Sequence, residues 1–191
     1  MSAFLTEAGI FVVQVVFGIY ILAVLLRLLL QSVRADFYNP VSQFVVALTN
    51  PALRPLRRLI PGLFGIDLAS IVLLIALQCL EFYLILLISS AGSEFAPTFS
   101  FTGLLLAAVI ELVRLTIYVF LFAILIRAVL SWVSPYAGRG NPATALLVSL
   151  TDPLLRPARK LLPPMQGLDL SPVLVMAALG LLLLALKHLI R

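Results

Sequence analysis

Thr49-Asn50-Pro51-Ala52-Leu53-Arg54-Pro55, followed by Arg57-Arg58-Leu59-Ile60-Pro61 and Gly65-Ile66-Asp67, returns as Thr151-Asp152-Pro153-Leu154-Leu155-Arg156-Pro157, Arg159-Lys160-Leu161-Leu162-Pro163 and Gly167-Leu168-Asp169. Asn39-Pro40 and Asn141-Pro142 precede the two strings at the same spacing. Two copies of this length are expected to fold alike and to be related by pseudo-symmetry. The repeat also separates what the fold duplicates from what only one half carries.

Around the repeat the chain is apolar. Of its 191 residues 63% are hydrophobic and 11% charged, with a mean hydropathy of +1.19. Soluble domains are about half apolar and a quarter charged, so this composition is that of an integral membrane protein. The net charge of +5 does not point to nucleic acid, because the basic residues flank apolar stretches, where topology signals are placed. Cys79 is the single cysteine and His188 the single histidine, which excludes an internal disulfide and leaves no ligand set for a transition metal. Cys79 reads as a small buried residue and His188 as a flanking interface residue. Glu7 and the lack of basic residues in 1–9 predict no cleavable signal, so the first apolar span is expected to stay in the mature protein.

Four stretches, about 9–30, 68–90, 102–126 and 170–187, are long enough to cross a hydrocarbon layer, which takes about 20 apolar residues. The fold class expected is therefore an all-α membrane protein. Its four transmembrane helices form two parallel tandem repeats, 1–90 and 102–191, joined by a loop at 91–101. Between the spans of each repeat lies a cytoplasmic segment, 31–67 or 127–169, expected to hold short interfacial helices. Asn39 and Asn141 can cap a helix whose first turn holds Pro40 or Pro142, where no amide bond is lost. Thr49-Asn50-Pro51 and Thr151-Asp152-Pro153 are read as ending that helix and starting a second. The second helix sets Arg54, Arg57 and Arg58, or Arg156, Arg159 and Lys160, on one face. Pro55 and Pro157 are expected to kink it.

Basic residues concentrate in the two central segments, with Arg34 and Arg139 besides the six just named. The positive-inside rule then makes these segments cytoplasmic, in a plasma (inner) membrane, with both termini and the 91–101 loop outside. Lys187 and Arg191 oppose this and are outnumbered. Trp132 and Tyr136 suit the interfacial belt, and Arg27 and Arg127 are placed to snorkel from the span ends. Asp67 and Asp169 stand just before spans and read as helix caps.

The string made of Arg27 or Arg127, then Asn-Pro, then Thr49-x-Pro51-x-x-x-Pro55-x-Arg57-x-x-x-Pro61, then Gly-x-Asp67, resembles the YggT family of small membrane proteins. The second copy, with Thr151, Pro153, Pro157, Arg159, Pro163, Asp169 and Ser171-Pro172, fits best. Gln31-Ser32 and Ala69-Ser70 are where the first copy departs. The resemblance implies association with osmotic tolerance, potassium homeostasis or cell-division gene neighbourhoods in bacteria, and with cytochrome complex maturation or nucleoid organisation in plastids. It implies no catalytic residue.

The polar set that the repeat does not duplicate is Gln78 and Glu81 in the second span with Glu111 and Arg114 in the third. Ionisable groups at membrane depth are expensive and face a partner or a water-filled cavity. If those spans are neighbours, the four lie level and form a Glu81, Arg114, Glu111 cluster: an ion pair fixing two spans, or a proton or cation relay. Gly103 and Ala107 have small-xxx-small spacing, a weak dimerisation signal.

The basic strips admit three readings: topology alone, docking to anionic lipid head groups, or docking to a cytoplasmic or membrane protein partner. No Ser/His/Asp, Cys/His or metal-ligand constellation exists in the sequence, so neither enzymatic activity nor a cofactor is expected. Because each repeat holds an even number of spans, both insert the same way up, which excludes half-helices meeting at mid-membrane from opposite sides. The leading reading is a non-enzymatic scaffold or assembly factor tied to envelope and osmotic homeostasis. The alternative is a cation channel or transporter using the Glu/Arg cluster, which would need a homo-oligomer, since four spans leave one chain little room for alternating access.

Overall fold

The computed structural model describes residues 2–62, 67–90, 100–133, 141–161 and 169–189. Among these the chain forms six helices: α1 (Ser2–Ser32), α2 (Pro40–Leu59), α3 (Leu68–Ser90), α4 (Phe101–Val133), α5 (Pro142–Leu161) and α6 (Ser171–Leu189). Gly65, Ile66, the 91–99 part of the loop, Tyr136, Arg139, Leu162, Pro163, Gly167, Leu168 and Arg191 lie outside the described residues.

Four helices are long and apolar enough to cross a membrane: Ala3–Ser32, Leu68–Ser90, Phe101–Ser131 and Ser171–His188, with mean hydropathies of 2.7, 2.6, 2.4 and 1.8. The chain is a multi-pass membrane protein. α1 starts several residues before the apolar span expected for it, and α4 runs on past residue 126, because Arg127 does not stop the helix. Its guanidinium is held inside the protein, and strong helix formers continue beyond it.

Each central segment holds one continuous helix of 20 residues, where two short ones were expected. Pro51 and Pro55, like Pro153 and Pro157, lie within it. Four residues apart, the two rings share one face, and all four prolines are exposed, so the missing amides fall together on the outer side of the helix. The inner side is fastened by a side chain. Thr49 Oγ1 donates to the carbonyl oxygen of Val45 at 2.7 Å, and Thr151 Oγ1 to that of Leu147 at 2.6 Å.

The helix starts follow the Asn-Pro reading. Asn39 Oδ1 accepts from the Val41 amide at 2.9 Å and Asn141 Oδ1 from the Ala143 amide at 3.0 Å. α1 ends in a Schellman motif with Ala35 N bonded to Leu30 O, Arg34 N to Gln31 O, and Arg34 left-handed at φ 53°. The turn then closes through Asp36, whose Oδ1 accepts from the Tyr38 amide.

The chain divides into two compact units, Met1–Leu28 with Val45–Val113, and Leu29–Phe44 with Arg114–Arg191. In the first, Ile21, Val24 and Leu25 of α1, Leu53 of α2, Leu74 of α3 and Ala108 of α4 are buried. In the second, Ile124 of α4, Leu155 and Ala158 of α5 and Val175 of α6 form a core flanked by Leu154, Met176 and Leu179. The duplicated positions do the same work in both: Val24 and Ile124, Thr49 and Thr151, and Leu53 and Leu155 are all fully buried. Long apolar side chains elsewhere, such as Phe11 and Ile19 on α1 and Phe122 on α4, face outward, as a lipid-facing surface requires.

Candidate functional site

The repeated residues assemble into one device per unit, where a span helix meets a proline-containing helix. In the first unit α1 brings Arg27 against α2. One guanidinium nitrogen donates to Thr49 Oγ1 at 2.7 Å, Asn50 Oδ1 at 3.0 Å and the Val46 carbonyl at 3.3 Å. Thr49 is fully buried and Arg27 is 7% exposed. The threonine hydroxyl accepts from Arg27 and donates to Val45, which uses both of its roles. Arg27 is thus not a snorkelling anchor but a buried clamp, because backbone and side-chain oxygens offered by α2 replace its water.

The second unit repeats the clamp. Arg127 donates to Thr151 Oγ1 at 2.7 Å, to Asp152 Oδ1 at 2.9 Å and to the Val148 carbonyl at 3.4 Å. One substitution changes its electrostatics: Asp152 stands where the first copy has Asn50. That carboxylate pairs with Arg127, with Arg156 at 3.2 Å, and with Arg159 at 3.8 Å. Burial pushes its pKa up, but hydrogen bonds and charge from Arg127 and Arg156 outweigh this and hold it below the ordinary carboxylate value.

The far end of each central helix is tied to the next span. Arg57 donates to and pairs with Asp67, whose other contacts are with Ser70. In the second copy Arg159 Nε donates to Asp169 Oδ2 at 2.9 Å, while Asp169 Oδ1 accepts from the Ser171 amide at 3.0 Å. The aspartates therefore cap α3 and α6, as the sequence suggests, and also bind an arginine ten positions earlier (57 to 67, 159 to 169). Desolvation raises both carboxyls, yet Arg57 with Ser70, and Ser171 with Arg159, bring them below the usual range. Ser70 takes part in the cap although the first copy lacks Ser-Pro there.

These ties divide the six basic residues. Arg57, although exposed, and Arg159 bind aspartates beside the next span, whereas Arg54, Arg58, Arg156 and Lys160 are exposed, with Arg156 paired to Asp152 of its own helix. The two central helices also differ. Phe44 and Leu48 of α2 are exposed, while Leu146 and Leu150, their counterparts in α5, are buried. In the second unit Asn39 Nδ2 donates to the Pro142 carbonyl at 2.7 Å, linking the first turns of α2 and α5.

The unrepeated polar set is split between the units. Gln78 and Glu81 are buried on α3 and share a 2.8 Å hydrogen bond from Nε2 to Oε2. Glu111 belongs to the same unit, and Arg114 to the second unit, where it is exposed and lines a groove between α4 and α6. Asn50, Asp152 and the arginine–aspartate pairing were not singled out from the sequence. The equal Arg-to-Asp interval in both copies is the signal that could have revealed the pairing.

Compared with known proteins, residues 6–88 and 106–190 each match the family model described as CCB3/YggT. The chain belongs to the CCB3/YggT family. A Pseudomonas aeruginosa protein is 47% identical over 178 residues, covering 93% of this chain and 87% of that protein. A Vibrio alginolyticus protein encoded 3' of proC is 42% identical, covering 88% of each. The Escherichia coli K12 protein named YggT is 38% identical, covering 88% of this chain and 84% of its own. No solved structure matches. The two CCB3/YggT matches fall on the two copies of the arginine–threonine clamp, so in this chain each family repeat contains a span, a clamped central helix and a capped second span.

Proposed function

We propose that this CCB3/YggT protein is a non-enzymatic membrane scaffold or assembly factor of the plasma (inner) membrane, serving envelope and osmotic homeostasis. The observation that carries the reading is the clamp itself. The duplicated polar residues are consumed in fixing α2 and α5 rather than in composing a reactive site, and Arg54, Arg58, Arg156 and Lys160 remain outward. By the positive-inside rule these residues face the cytoplasm. On α2 the exposed stripe Val41, Phe44, Leu48 and Leu59 lies beside Arg54 and Arg58, a distribution suited to an interfacial helix that sinks its apolar face among lipids and offers its basic edge to head groups or a partner.

A photoreactive residue placed at 54 or 58, and in parallel at 156 or 160, tests this in living cells. The scaffold reading expects one discrete cytoplasmic or membrane protein to be captured and osmotic tolerance to fall when the four basic residues become Gln. Capture of lipid alone, with tolerance unchanged, would overturn it.

The buried Gln78–Glu81 pair supports a second reading, an oligomeric cation channel or transporter. Potassium or proton flux into proteoliposomes that is abolished by Glu81→Gln would favour it. Absence of flux in the unaltered protein removes it.

A further inference from the structure

A pocket of about 220 Å³ opens beside the second clamp, where α4, α5 and α6 meet. Arg127 and Ser131 of α4, Arg159 of α5, and Asp169 ahead of α6 form its polar end. The first unit is shut at the equivalent positions. Leu25 is 3% exposed against 46% for Leu125, and the side chain of Asp67 is 5% exposed against 33% for Asp169. One cause is Pro172, which stands where the first copy has Ser70. The Ser70 hydroxyl donates to Asp67, and proline has no such group to offer its aspartate.

The charges at the polar end form a chain. Arg127 Nη1 and Arg159 Nη1 lie 2.9 and 3.8 Å from the same Asp152 Oδ1, Arg156 Nε lies 3.2 Å from Oδ2, and Arg159 Nε lies 2.9 Å from Asp169 Oδ2. Three guanidiniums against two carboxylates leave one positive charge in excess. Neither pocket arginine is used up by these pairs. The bonds of Arg127 to Thr151, Asp152 and Val148 all leave from Nη1, and Arg159 is held through Nε and Nη1. The Nη2 of each has no acceptor among the described residues.

The pocket lies where two spans meet the membrane edge, since Phe101–Ser131 ends and Ser171–His188 begins beside it. Its apolar walls run inward from there. Val129 and Leu125 stand about 3 and 9 Å before Ser131, and Val173 and Met176 about 3 and 8 Å after Ser171, at 1.5 Å rise per residue. Leu125, Val129 and Val173 are exposed at its mouth. The volume equals about seven waters at about 30 Å³ each, room for a phosphate with its glycerol and not for two acyl chains.

We infer that this pocket holds the phosphodiester and glycerol of one monoanionic phospholipid, drawn from the leaflet on the side of α5. Phosphate oxygens accept from Nη2 of Arg127 and of Arg159, a head-group hydroxyl donates to Asp169, and the acyl chains leave over Leu125, Val129 and Val173. Arginine suits the task because its planar fork keeps a carboxylate on one edge while another edge takes the phosphate. A monoanion neutralises the excess charge of the cluster, and a zwitterionic lipid does not. The site is separate from the outward side chains of Arg54, Arg58 and Lys160 and does not rest on the scaffold reading.

The test uses the full-length protein in phosphatidylcholine vesicles doped with a trace of a phospholipid whose acyl chain carries a photoreactive diazirine near its ester end. The head group is either phosphatidylglycerol or phosphatidylcholine, and labelled residues are mapped by mass spectrometry. The phosphatidylglycerol probe is expected to label 125–131 and 170–176 about fivefold more than the phosphatidylcholine probe. Arg159→Gln, which leaves the Arg127 pair with Asp152 and the Asp169 cap in place, is expected to abolish the preference, and Arg159→Lys to keep most of it. Val129→Trp narrows the mouth at an exposed position outside every ion pair. It is expected to suppress labelling of 170–176 in a protein whose melting temperature is unchanged, and it decides the matter even where Arg159→Gln fails to fold. Equal labelling by both probes overturns the proposal, as does labelling that survives Val129→Trp or a preference that survives Arg159→Gln. Loss of labelling to sodium glycerophosphate in the buffer overturns it as well, by making a soluble phosphate ester the occupant.

Discussion

Arg27 and Thr49 meet at 2.7 Å in the first unit, and Arg127 and Thr151 meet at the same distance in the second, so one hydrogen bond fastens a span helix to a proline-containing helix in both repeats. Hydrogen bonds to a charged group contribute about 1.5–3 kcal/mol, and a buried charge left unpaired costs more. Thr49→Val, which keeps the shape and removes the hydroxyl, is expected to destabilise the protein by about 2 kcal/mol, and Thr49→Ser to restore most of that. Arg27→Lys is expected to be worse than Thr49→Ser, since the shorter side chain ends in an ammonium that is more strongly hydrated and costlier to bury at this depth. Reversible unfolding in mixed detergent measures the order; a Val variant as stable as the parent removes the clamp from the argument.

Acid sensitivity follows from the three aspartates. Asp67, Asp152 and Asp169 have carboxyls held below their ordinary value in the folded protein, against about 3.9 when unfolded. A depressed carboxyl contributes stability that is present above the unfolded value and is lost as pH falls through the folded one. The melting temperature is therefore expected to be level from pH 7 to 5 and to drop below about pH 4. Asp67→Asn, which weakens the ties to Arg57 and Ser70, should be less stable at neutral pH and show a shallower acid limb. A midpoint of loss near pH 6 would contradict the assignment.

The two clamps are expected to differ in their response to charge. Asp152→Asn removes a carboxylate shared by Arg127, Arg156 and Arg159 and should destabilise by about 1–3 kcal/mol. The reciprocal Asn50→Asp supplies Arg27 with the carboxylate that the first copy lacks, and should leave stability unchanged or raised. Melting curves of the two single variants decide it, and an equal loss in both would show that the side chain's fit, not its charge, governs the site.

Asn39 and Asn141 cap their helices alike, yet only Asn39 has the further bond to Pro142 described above. Replacement of either by Ala should remove a cap worth about 1 kcal/mol, and Asn39→Ala should lose about a further 1 kcal/mol with its second hydrogen bond. Hydrogen exchange gives a separate readout, because the first-turn amides of α5 should open faster in Asn39→Ala as well as in Asn141→Ala. Exchange in α5 unmoved by Asn39→Ala would show the link to be inert.

Arg34 holds a left-handed backbone at φ 53° where glycine is the unstrained residue. Arg34→Gly should raise stability by about 0.5–1 kcal/mol if the relieved strain exceeds glycine's added entropy cost. A lower melting temperature would show that the exposed guanidinium makes a contact worth more than the strain.

Much of the architecture was legible in the residues themselves. Apolar stretches of membrane length located the four spanning helices, Asn39 and Asn141 located the starts of α2 and α5, and Asp67 and Asp169 the caps of α3 and α6. The reading failed where a local rule met a distant partner. Thr-x-Pro signals a helix end when considered alone, but a guanidinium from another helix donates to the hydroxyl and carbonyl of that turn, and the helix passes through both prolines. Arg57 and Arg159 looked like surface cations because the aspartates that bind them stand ten residues further along the chain.

The sequence by itself determined the membrane character, the number of spans and the duplication, because each depends on length, hydropathy or identity along one continuous stretch. Only the tertiary structure decided that Arg27 is a buried clamp, that Arg57 and Arg159 are tied to aspartates beside the next span while Arg156 pairs within its own helix, and that Arg114 and Lys187 line one groove. Those outcomes depend on which helix faces crowd together, and a charged side chain is buried or exposed according to whether the neighbouring helix offers it oxygen atoms in place of water.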